Sequence, residues 1–159
     1  MNGRQTTQTA QLTRQWEDFT AADIMTAPAV TVRPEDTILE AVKLLLANSI
    51  SGVPVLAAAG NFVAIVTEKD LLVGGHILAA DSAAVSLVMT RHVVSVPAET
   101  SLSETAHLMV HLGFKRLPVI SNGKVVGVVS RCDVLRVIGK LNEEQGRHHG
   151  KFARNSPAQ

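Results

Sequence analysis

The side chains best suited to chemistry form one short pattern that occurs twice, a hydroxyl residue followed three positions later by aspartate. The pattern stands at Thr67 and Asp70 and again at Ser130 and Asp133, each time directly after an apolar run. A hydroxyl three residues before an acid is typical of a capping box, which satisfies free backbone N–H groups at a helix start. The same helix start offers N–H groups and a positive dipole end to a phosphate. On spacing alone, the pattern favours capping over ligand binding.

Arrangements typical of catalysis are absent from the sequence. It has no nucleophile–base combination, no Gly-rich phosphate loop of the G-x-x-x-x-G-K type and no paired catalytic carboxylates. His107 and His111 have the spacing of two metal ligands on a helix, but no Glu follows His107, and we interpret both as solvated side chains. Cys132 stands beside a predicted helix N-terminus, and we interpret it as a packed or inert thiol rather than a nucleophile. We therefore expect no enzyme and no metal site.

Composition limits the partners of the chain. Of its 159 residues, 46% are apolar and 18% are charged, which indicates a folded protein with a sizeable core. Aromatic residues make up 3% and the net charge is +1, so neither stacking platforms nor a positive field for nucleic acid or anionic membrane is expected. The single cysteine excludes an internal disulfide. Because no apolar signal core or membrane span is visible, we expect a soluble cytoplasmic protein.

An internal repeat organises the chain. Residues 25–56 align with residues 89–120, and residues 60–72 align with residues 123–135 after a one-residue deletion. Each copy predicts the order strand–helix–strand–strand–helix, so we expect an α/β (α+β) fold in which two pseudo-symmetric repeats share one layered body. Two copies are too few for a solenoid. Each copy should instead bury the face that the other leaves open, with related clefts between them.

The same signals occur in both copies. Each begins with Met-Thr, continues as a short alternating strand and then enters a helix through a hydroxyl-x-x-Glu capping box. Two buried strands joined by a Gly- and Asn-containing turn follow, and a second helix starts at the hydroxyl-x-x-Asp pattern. We expect that helix to stop at Gly74-Gly75 in the first copy and to continue through Leu141 in the second. The predicted strands are residues 30–32, 53–56 and 62–66 in the first copy, and residues 93–96, 117–120 and 125–129 in the second.

These boundaries divide the chain into five segments. We predict an N-terminal tail or helix over residues 1–19, in which Trp16 and Phe19 anchor a helix on the body. The first domain then covers residues 20–73, a linker covers residues 74–86, the second domain covers residues 87–141, and a flexible C-terminal tail covers residues 142–159.

The ordered motifs resemble those of the CBS domain, a family named for cystathionine β-synthase, over roughly residues 20–140. The first copy carries Asp23-Ile24-Met25-Thr26, Gly52-Val53-Pro54-Val55, Gly60 and Ile65-Val66-Thr67-Glu68-Lys69-Asp70-Leu71. The second carries Val88-Met89-Thr90, Arg116-Leu117-Pro118-Val119, Gly127-Val128-Val129-Ser130 and Asp133-Val134-Leu135. The resemblance implies a tandem pair, called a Bateman module, that binds an adenosine-containing ligand (AMP, ADP, ATP or S-adenosylmethionine) between the repeats. Such pairs commonly form homodimers, and they regulate rather than catalyse.

The resemblance also implies which residues bind. Hydroxyl-x-x-Asp is the ribose signature of the family, here Thr67 with Asp70 and Ser130 with Asp133. Family members that bind phosphates often carry a basic residue at the position of Arg116, with Lys115 beside it, whereas the first copy has Ser51-Gly52 there. Lys69 and Arg131 either add charge to a phosphate or are ordinary exposed residues of a first helical turn. Adenine is expected to lie near Val30 and Val94.

We therefore expect the two clefts to differ. The cleft of Ser130, Asp133 and Arg116 should take the phosphorylated nucleotide, and the cleft of Thr67 and Asp70 should be weaker, empty or filled by a less charged adenosyl ligand. Ala64 stands where the second copy has Gly127, and its methyl group is expected to narrow the first cleft.

Two functions remain open. In the first, the chain senses an adenine nucleotide, with or without Mg²⁺, and an unknown effector protein responds to the bound state. In the second, it is a structural dimerisation module with vestigial clefts.

Overall fold

The computed structural model describes residues 16–77 and 79–152, with side chains up to residue 143. It contains helices and antiparallel strand pairs in both halves of the chain, which confirms the predicted α+β class. They are α1 (Ala21–Ile24), α2 (Ile38–Asn48), β1 (Gly52–Leu56), β2 (Phe62–Thr67), α3 (Glu68–Ile77), β3 (Val96–Pro97), α4 (Leu102–His111), β4 (Arg116–Ser121), β5 (Lys124–Ser130) and α5 (Arg131–Phe152). No helix in the described part of the chain is long and apolar enough to cross a membrane.

Each repeat builds its sheet on an antiparallel hairpin, β1 with β2 and β4 with β5. In the second repeat, β3 runs parallel to β4, and in the first repeat Val32 alone makes the equivalent parallel bridge, to Val55. The predicted opening strands are therefore shorter than expected. In the first repeat, the chain leaves the sheet directly after Val32 and forms a turn. The Asp36 carboxylate stabilises this turn by accepting a hydrogen bond from the backbone N–H of Arg33 at 2.7 Å.

The hairpin turns differ between the repeats. Asn122 and Gly123 have φ angles of 49° and 73°, as a two-residue turn between twisted strands requires. The first repeat uses a longer connection with a short 3₁₀ turn over Ala58–Gly60, in which Ala59 and Gly60 have positive φ angles. The predicted turn at Gly60-Asn61 therefore begins earlier in the chain.

The first helix of each repeat starts at its predicted cap, with the complete capping box in the first repeat and only the hydroxyl half of it in the second. The Thr37 hydroxyl accepts a hydrogen bond from the Glu40 N–H at 3.1 Å, and the Glu40 carboxylate accepts one from the Thr37 N–H at 2.7 Å. That backbone bond, together with one from the Thr37 hydroxyl, holds the pKa of the Glu40 carboxyl below its usual value. In the second repeat, the Ser101 hydroxyl accepts from the Glu104 N–H at 3.2 Å.

The two repeats are joined by an exchange of the segments with which they begin. Thr26 pairs with Val128 of β5, and Thr90 pairs with Ile65 of β2. Each pair makes two backbone hydrogen bonds, of 2.9 and 3.1 Å for the first and 2.8 and 2.9 Å for the second. The Met-Thr that opens each copy therefore extends the sheet of the other copy.

The hydrophobic cores follow the same exchange. Val85 and Met89, at the entry to the second repeat, lie in the core of the first repeat. Ala21, at the entry to the first repeat, lies in the core of the second, and Trp16 and Phe19 pack against that core while remaining half-buried. Trp16 and Phe19 therefore contact the body as predicted, whereas most of the predicted N-terminal tail or helix lies outside the described residues. Each core therefore includes residues from the segment that leads into the other repeat.

Helix α3 does not stop at Gly74-Gly75, so this prediction was wrong, and the helix continues to Ile77. Gly74 is buried, and a Cβ atom there would lie 2.6 Å from Cγ1 of Val88 and 3.0 Å from Cδ1 of Ile38. The glycine therefore allows α3 to approach the segment that enters from the second repeat, and it does not terminate the helix.

Helix α5 continues through Leu141 as predicted and extends to Phe152. Residues 142–152 are thus helical where we predicted a flexible tail. Residues 1–15 and 153–159, the remainder of the two predicted tails, lie outside the described residues. The domain boundaries themselves stay a prediction.

The two adjacent glycines of α3 offer a matched test of this packing. Nothing lies within 4 Å of a Cβ atom at Gly75, so Gly75→Ala should raise the free energy of unfolding by about 0.5–1 kcal/mol, because alanine loses less backbone entropy in a helix. Gly74→Ala should leave the protein about 1–3 kcal/mol less stable than Gly75→Ala, since its methyl group overpacks the contact with Val88. Urea unfolding at one protein concentration measures both. Equal stabilities would contradict the close approach.

Candidate functional site

A cavity of about 470 Å³ lies between the two repeats, a volume in the range of small-molecule sites. The first repeat and its leading segment contribute Thr26, Ala29, Val30, Ser49, Ile50, Ser51 and Gly52. The second contributes Lys115, Arg116, Val128, Ser130, Arg131, Cys132, Asp133 and Arg136. One wall is therefore apolar or hydroxyl-bearing, and the other carries the charged groups.

The start of α5 positions Asp133 in this cavity. The Asp133 side chain is only 7% exposed, and its Oδ2 accepts hydrogen bonds from the Ser130 N–H at 2.8 Å and the Ser130 hydroxyl at 2.6 Å. In return, the Ser130 hydroxyl accepts from the Asp133 N–H at 3.3 Å. The pair thus forms a capping box that uses one carboxylate oxygen. The other, Oδ1, pairs with the guanidinium of Arg136.

Asp70 has the same local geometry in different surroundings. Its Oδ2 accepts from the Thr67 N–H at 2.8 Å and from the Thr67 hydroxyl at 2.7 Å. None of the predicted residues Thr67, Lys69, Asp70 and Val94 lines the cavity described above. The residue three positions after Asp70 is Val73, whereas Arg136 follows Asp133 at that spacing.

Arg116 reaches across the boundary between the repeats. Its guanidinium donates hydrogen bonds to the backbone carbonyl and to the hydroxyl of Ser51. Gly52 makes room for it, because a Cβ atom at that position would overlap Nη1 of Arg116 and lie 2.9 Å from the carbonyl oxygen of Val66. Gly52 and Arg116 occupy equivalent positions of the two copies. At this point of the boundary between the repeats, there is space for one long side chain.

The charge of Arg116 faces more than one acid. Burial lowers the pKa of its guanidinium, and the negative charges of Glu68 and Asp70 at the start of α3 act in the opposite direction. The group remains charged, since an arginine guanidinium does not lose its proton in proteins. Arg116 therefore lines the cavity of Asp133 and also interacts electrostatically with Asp70. From the sequence we had assigned Arg116 to the Asp133 cleft alone.

The other predicted cations are placed differently. Lys115 is an exposed lining residue of the cavity. Arg131 also lines it, but its Nε donates to the Phe114 carbonyl at 2.9 Å and its Nη2 to the Met109 carbonyl at 3.3 Å. A cation is favourable there, near the C-terminal end of α4. The guanidinium of Arg131 is thus occupied with backbone carbonyls.

The structure also bears on Ala64 and Gly127, which the sequence suggested would set the width of the clefts. A Cβ atom at Gly127 would lie 2.5 Å from Sδ of Met25 and 2.9 Å from the carbonyl oxygen of Thr26. Gly127 therefore allows the leading segment of the first repeat to lie against β5. Ala64 is fully buried in the first core, and it is not among the residues that line the cavity.

Sequence reasoning missed several polar residues that line the cavity, among them Ser51 and Arg136. Arg136 was detectable, because a residue three positions after Asp133 lies on the same helix face. Ser51 was not, since its role depends on how the repeats meet. Val30 lines the cavity next to Ala29, and its contact with adenine stays a prediction.

The side chains that we discounted lie at exposed positions. Cys132 is exposed and lines the cavity, so its thiol is not packed in the core. His107 and His111 are exposed on α4 with ring centroids 3.9 Å apart. No group of three or more His, Cys, Asp and Glu side chains that could hold a metal ion occurs among the described residues.

Comparison with known proteins identifies the same two repeats in the chain. The family model for the CBS domain matches residues 21–74 and again residues 84–140. An inosine-5'-monophosphate dehydrogenase of Korarchaeum cryptofilum is 31% identical over 79% of this chain, but the chain spans only 24% of that enzyme. The chain likewise spans 42% of an uncharacterized protein of Methanocaldococcus jannaschii that is 26% identical.

Two solved structures are similar over most of the described fold. The CBS domain pair of protein MJ0100, in complex with 5'-methylthioadenosine and S-adenosyl-L-methionine, is 25% identical with a TM-score of 0.70 and covers 77% of this chain and 97% of its own. CBSX2 in complex with AMP is 26% identical with a TM-score of 0.68 and covers 78% of this chain and 98% of its own.

A double-mutant cycle tests the placement of Arg116 beside Gly52. Gly52→Ala should lower the free energy of unfolding by about 1–3 kcal/mol, because its methyl group displaces the guanidinium and crowds the Val66 carbonyl. In an Arg116→Ala background, the cost of the same change should fall by at least about 0.5 kcal/mol, since only the backbone contact remains. Urea unfolding of the four proteins measures the coupling. Strict additivity would mean that Arg116 does not occupy the space that Gly52 leaves.

Proposed function

Because the chain belongs to the CBS-domain family, we propose that it is a regulatory module that binds an adenine nucleotide in the cavity between its repeats. The bound state then alters its conformation, its oligomer or its contact with a separate effector protein. The observation that carries this proposal is the nearly buried carboxylate of Asp133 in one cavity with the cations Lys115 and Arg116.

The chemistry of the cavity suits such a ligand. A carboxylate accepts hydrogen bonds from both hydroxyls of a ribose, and a guanidinium holds a phosphate through two parallel N–H donors. Val30 and Ile50 offer an aliphatic surface for a base. Similar CBS-domain proteins have been solved with AMP and with 5'-methylthioadenosine and S-adenosyl-L-methionine, which supports an adenosyl ligand here.

The two clefts are unequal in this proposal. The Asp133 cleft takes the phosphorylated ligand because the described cavity holds Lys115, Arg116 and Arg136 there. The Asp70 cleft binds more weakly. It shares the field of Arg116, but Asp70 has no counterpart of Arg136, because Val73 stands three residues after it.

A ligand in this position contacts both repeats at once. Val30 and Ser51 belong to the first repeat, and Arg116 and Asp133 belong to the second. Its affinity therefore depends on how the repeats are arranged. A ligand shifts that arrangement only to the extent that it binds one arrangement more tightly than the other.

Binding can be tested with AMP, ADP, ATP and S-adenosylmethionine by thermal shift and calorimetry. A ligand at 100 times its dissociation constant should add about 2.7 kcal/mol to the free energy of unfolding. Asp133→Ala should abolish AMP binding, and Asp70→Ala should weaken it less, because the cations of the cavity accompany Asp133.

The two aspartate variants control for each other. Both lose equivalent capping hydrogen bonds to a hydroxyl residue three positions earlier, so each should lose about 0.5–2 kcal/mol of stability. A larger effect of Asp70→Ala on AMP binding would contradict the site assignment. Absence of binding by every ligand would favour the alternative function, a structural dimerisation module.

A homodimer is the second part of the proposal. Leu46 and Val110 are equivalent in the two copies and are 75% and 74% exposed, and the equivalent Leu72 and Leu135 are 75% and 63% exposed. Each repeat therefore exposes two apolar side chains at equivalent positions of its two helices, α2 and α3 in the first repeat and α4 and α5 in the second. A second copy of the chain would cover such a pseudo-symmetric surface, as exposed apolar patches commonly mark interaction sites.

Sedimentation velocity tests the dimer. The unmodified protein should sediment as a dimer, and Leu72→Glu should shift it towards monomer, because a charge buried without a partner is costly. Leu87→Glu is the matched control, since Leu87 is 67% exposed but lies on the 3₁₀ turn Val85–Leu87 and not on these helices. Equal effects of the two variants, or a monomeric unmodified protein, would contradict this interface.

A further inference from the structure

The carboxylate of Asp133 has a partner on each of its oxygens. Oδ2 accepts two hydrogen bonds from Ser130, at 2.8 and 2.6 Å, and Oδ1 is paired with the Arg136 guanidinium. A ribose that reaches Asp133 must therefore share Oδ1 with Arg136 or displace it. The Ser130 bonds cap α5, so Oδ2 is the less accessible of the two oxygens.

Arg136 is suited to such a displacement. Its side chain is 69% exposed, whereas that of Asp133 is 7% exposed, so the arginine can move into solvent and the carboxylate cannot. Arg136 also lines the cavity, one helical turn beyond Asp133. Because the side chain is long and anchored on the cavity wall, its charge stays near the site after the ion pair opens.

We propose that Arg136 is an exchangeable counterion that makes the Asp133 cleft select nucleotides over nucleosides. In the empty site, Arg136 neutralises Asp133. When a ribose takes Oδ1, the released guanidinium binds the phosphate of the same ligand. A nucleoside breaks the ion pair and offers no phosphate in exchange, so the same residue opposes its binding. This inference rests on the proposed function.

The first repeat lacks this counterion. Val73 occupies the position three residues after Asp70 and is 53% exposed. A nucleoside that enters there displaces no ion pair of this kind. Arg136 is therefore a second residue, besides Arg116, that distinguishes the two copies in how they treat ligand charge.

The test compares adenosine with AMP, which share a ribose and differ in the phosphate. In Arg136→Gln, adenosine should bind about two- to fivefold more tightly, because it no longer competes with an exposed ion pair. AMP should bind about tenfold more weakly, because a charge-assisted hydrogen bond to its phosphate is lost. Calorimetry at one pH and one salt concentration gives both dissociation constants.

Lys140→Gln is the matched control, because Lys140 is exposed one turn further along α5 and its loss changes the net charge equally. It should leave the ratio of the two constants unchanged. If Arg136→Gln shifts both ligands in the same direction and by the same factor, or behaves like Lys140→Gln, the inference fails while nucleotide binding stands. If the unmodified protein binds another of the adenosyl ligands but neither adenosine nor AMP, the inference alone fails. If it binds none of adenosine, AMP, ADP, ATP and S-adenosylmethionine, the proposed function and the inference both fail.

Discussion

The exchange of leading segments is the constraint on which the rest of the structure depends. Thr26 completes the sheet of the second repeat, and Thr90 completes that of the first, each through a pair of backbone hydrogen bonds. Backbone groups in a buried sheet must be paired, so neither repeat satisfies its edge strand alone. Small domains also bury too little surface for independent stability. The exchange joins two marginal units into one body and fixes the cavity at their boundary.

Much of this could be predicted from the sequence, because it depends on local chemistry. The capping box of Thr37 and Glu40 and the Asn122-Gly123 turn formed where expected, since each is stabilised by contacts within a few residues. The family and the α+β class followed from the order of such signals in two copies. The hydroxyl-x-x-Asp pattern was also interpreted correctly as a cap, with one oxygen of Asp133 in that role.

What the sequence could not give depends on contacts between the repeats. Gly74 was interpreted as a helix stop, yet it faces Val88 from a distant part of the chain. From the comparison with Ala64, we expected the position of Gly127 to set the width of a cleft, yet a Cβ atom at Gly127 would meet Met25. A glycine that permits close packing and a glycine that ends a helix look alike in one sequence. Only the fold distinguishes them, and the same is true of the contact between Arg116 and Ser51.

The shared space of Gly52 and Arg116 has a consequence for the symmetry of the fold. Two identical copies of the second repeat, joined as these repeats are, would place two guanidinium groups in a space that admits one side chain. Their like charges would also repel each other. Two identical repeats would therefore need a small residue at both of these positions. A single arginine fits because the two repeats are stretches of one chain that differ at this position.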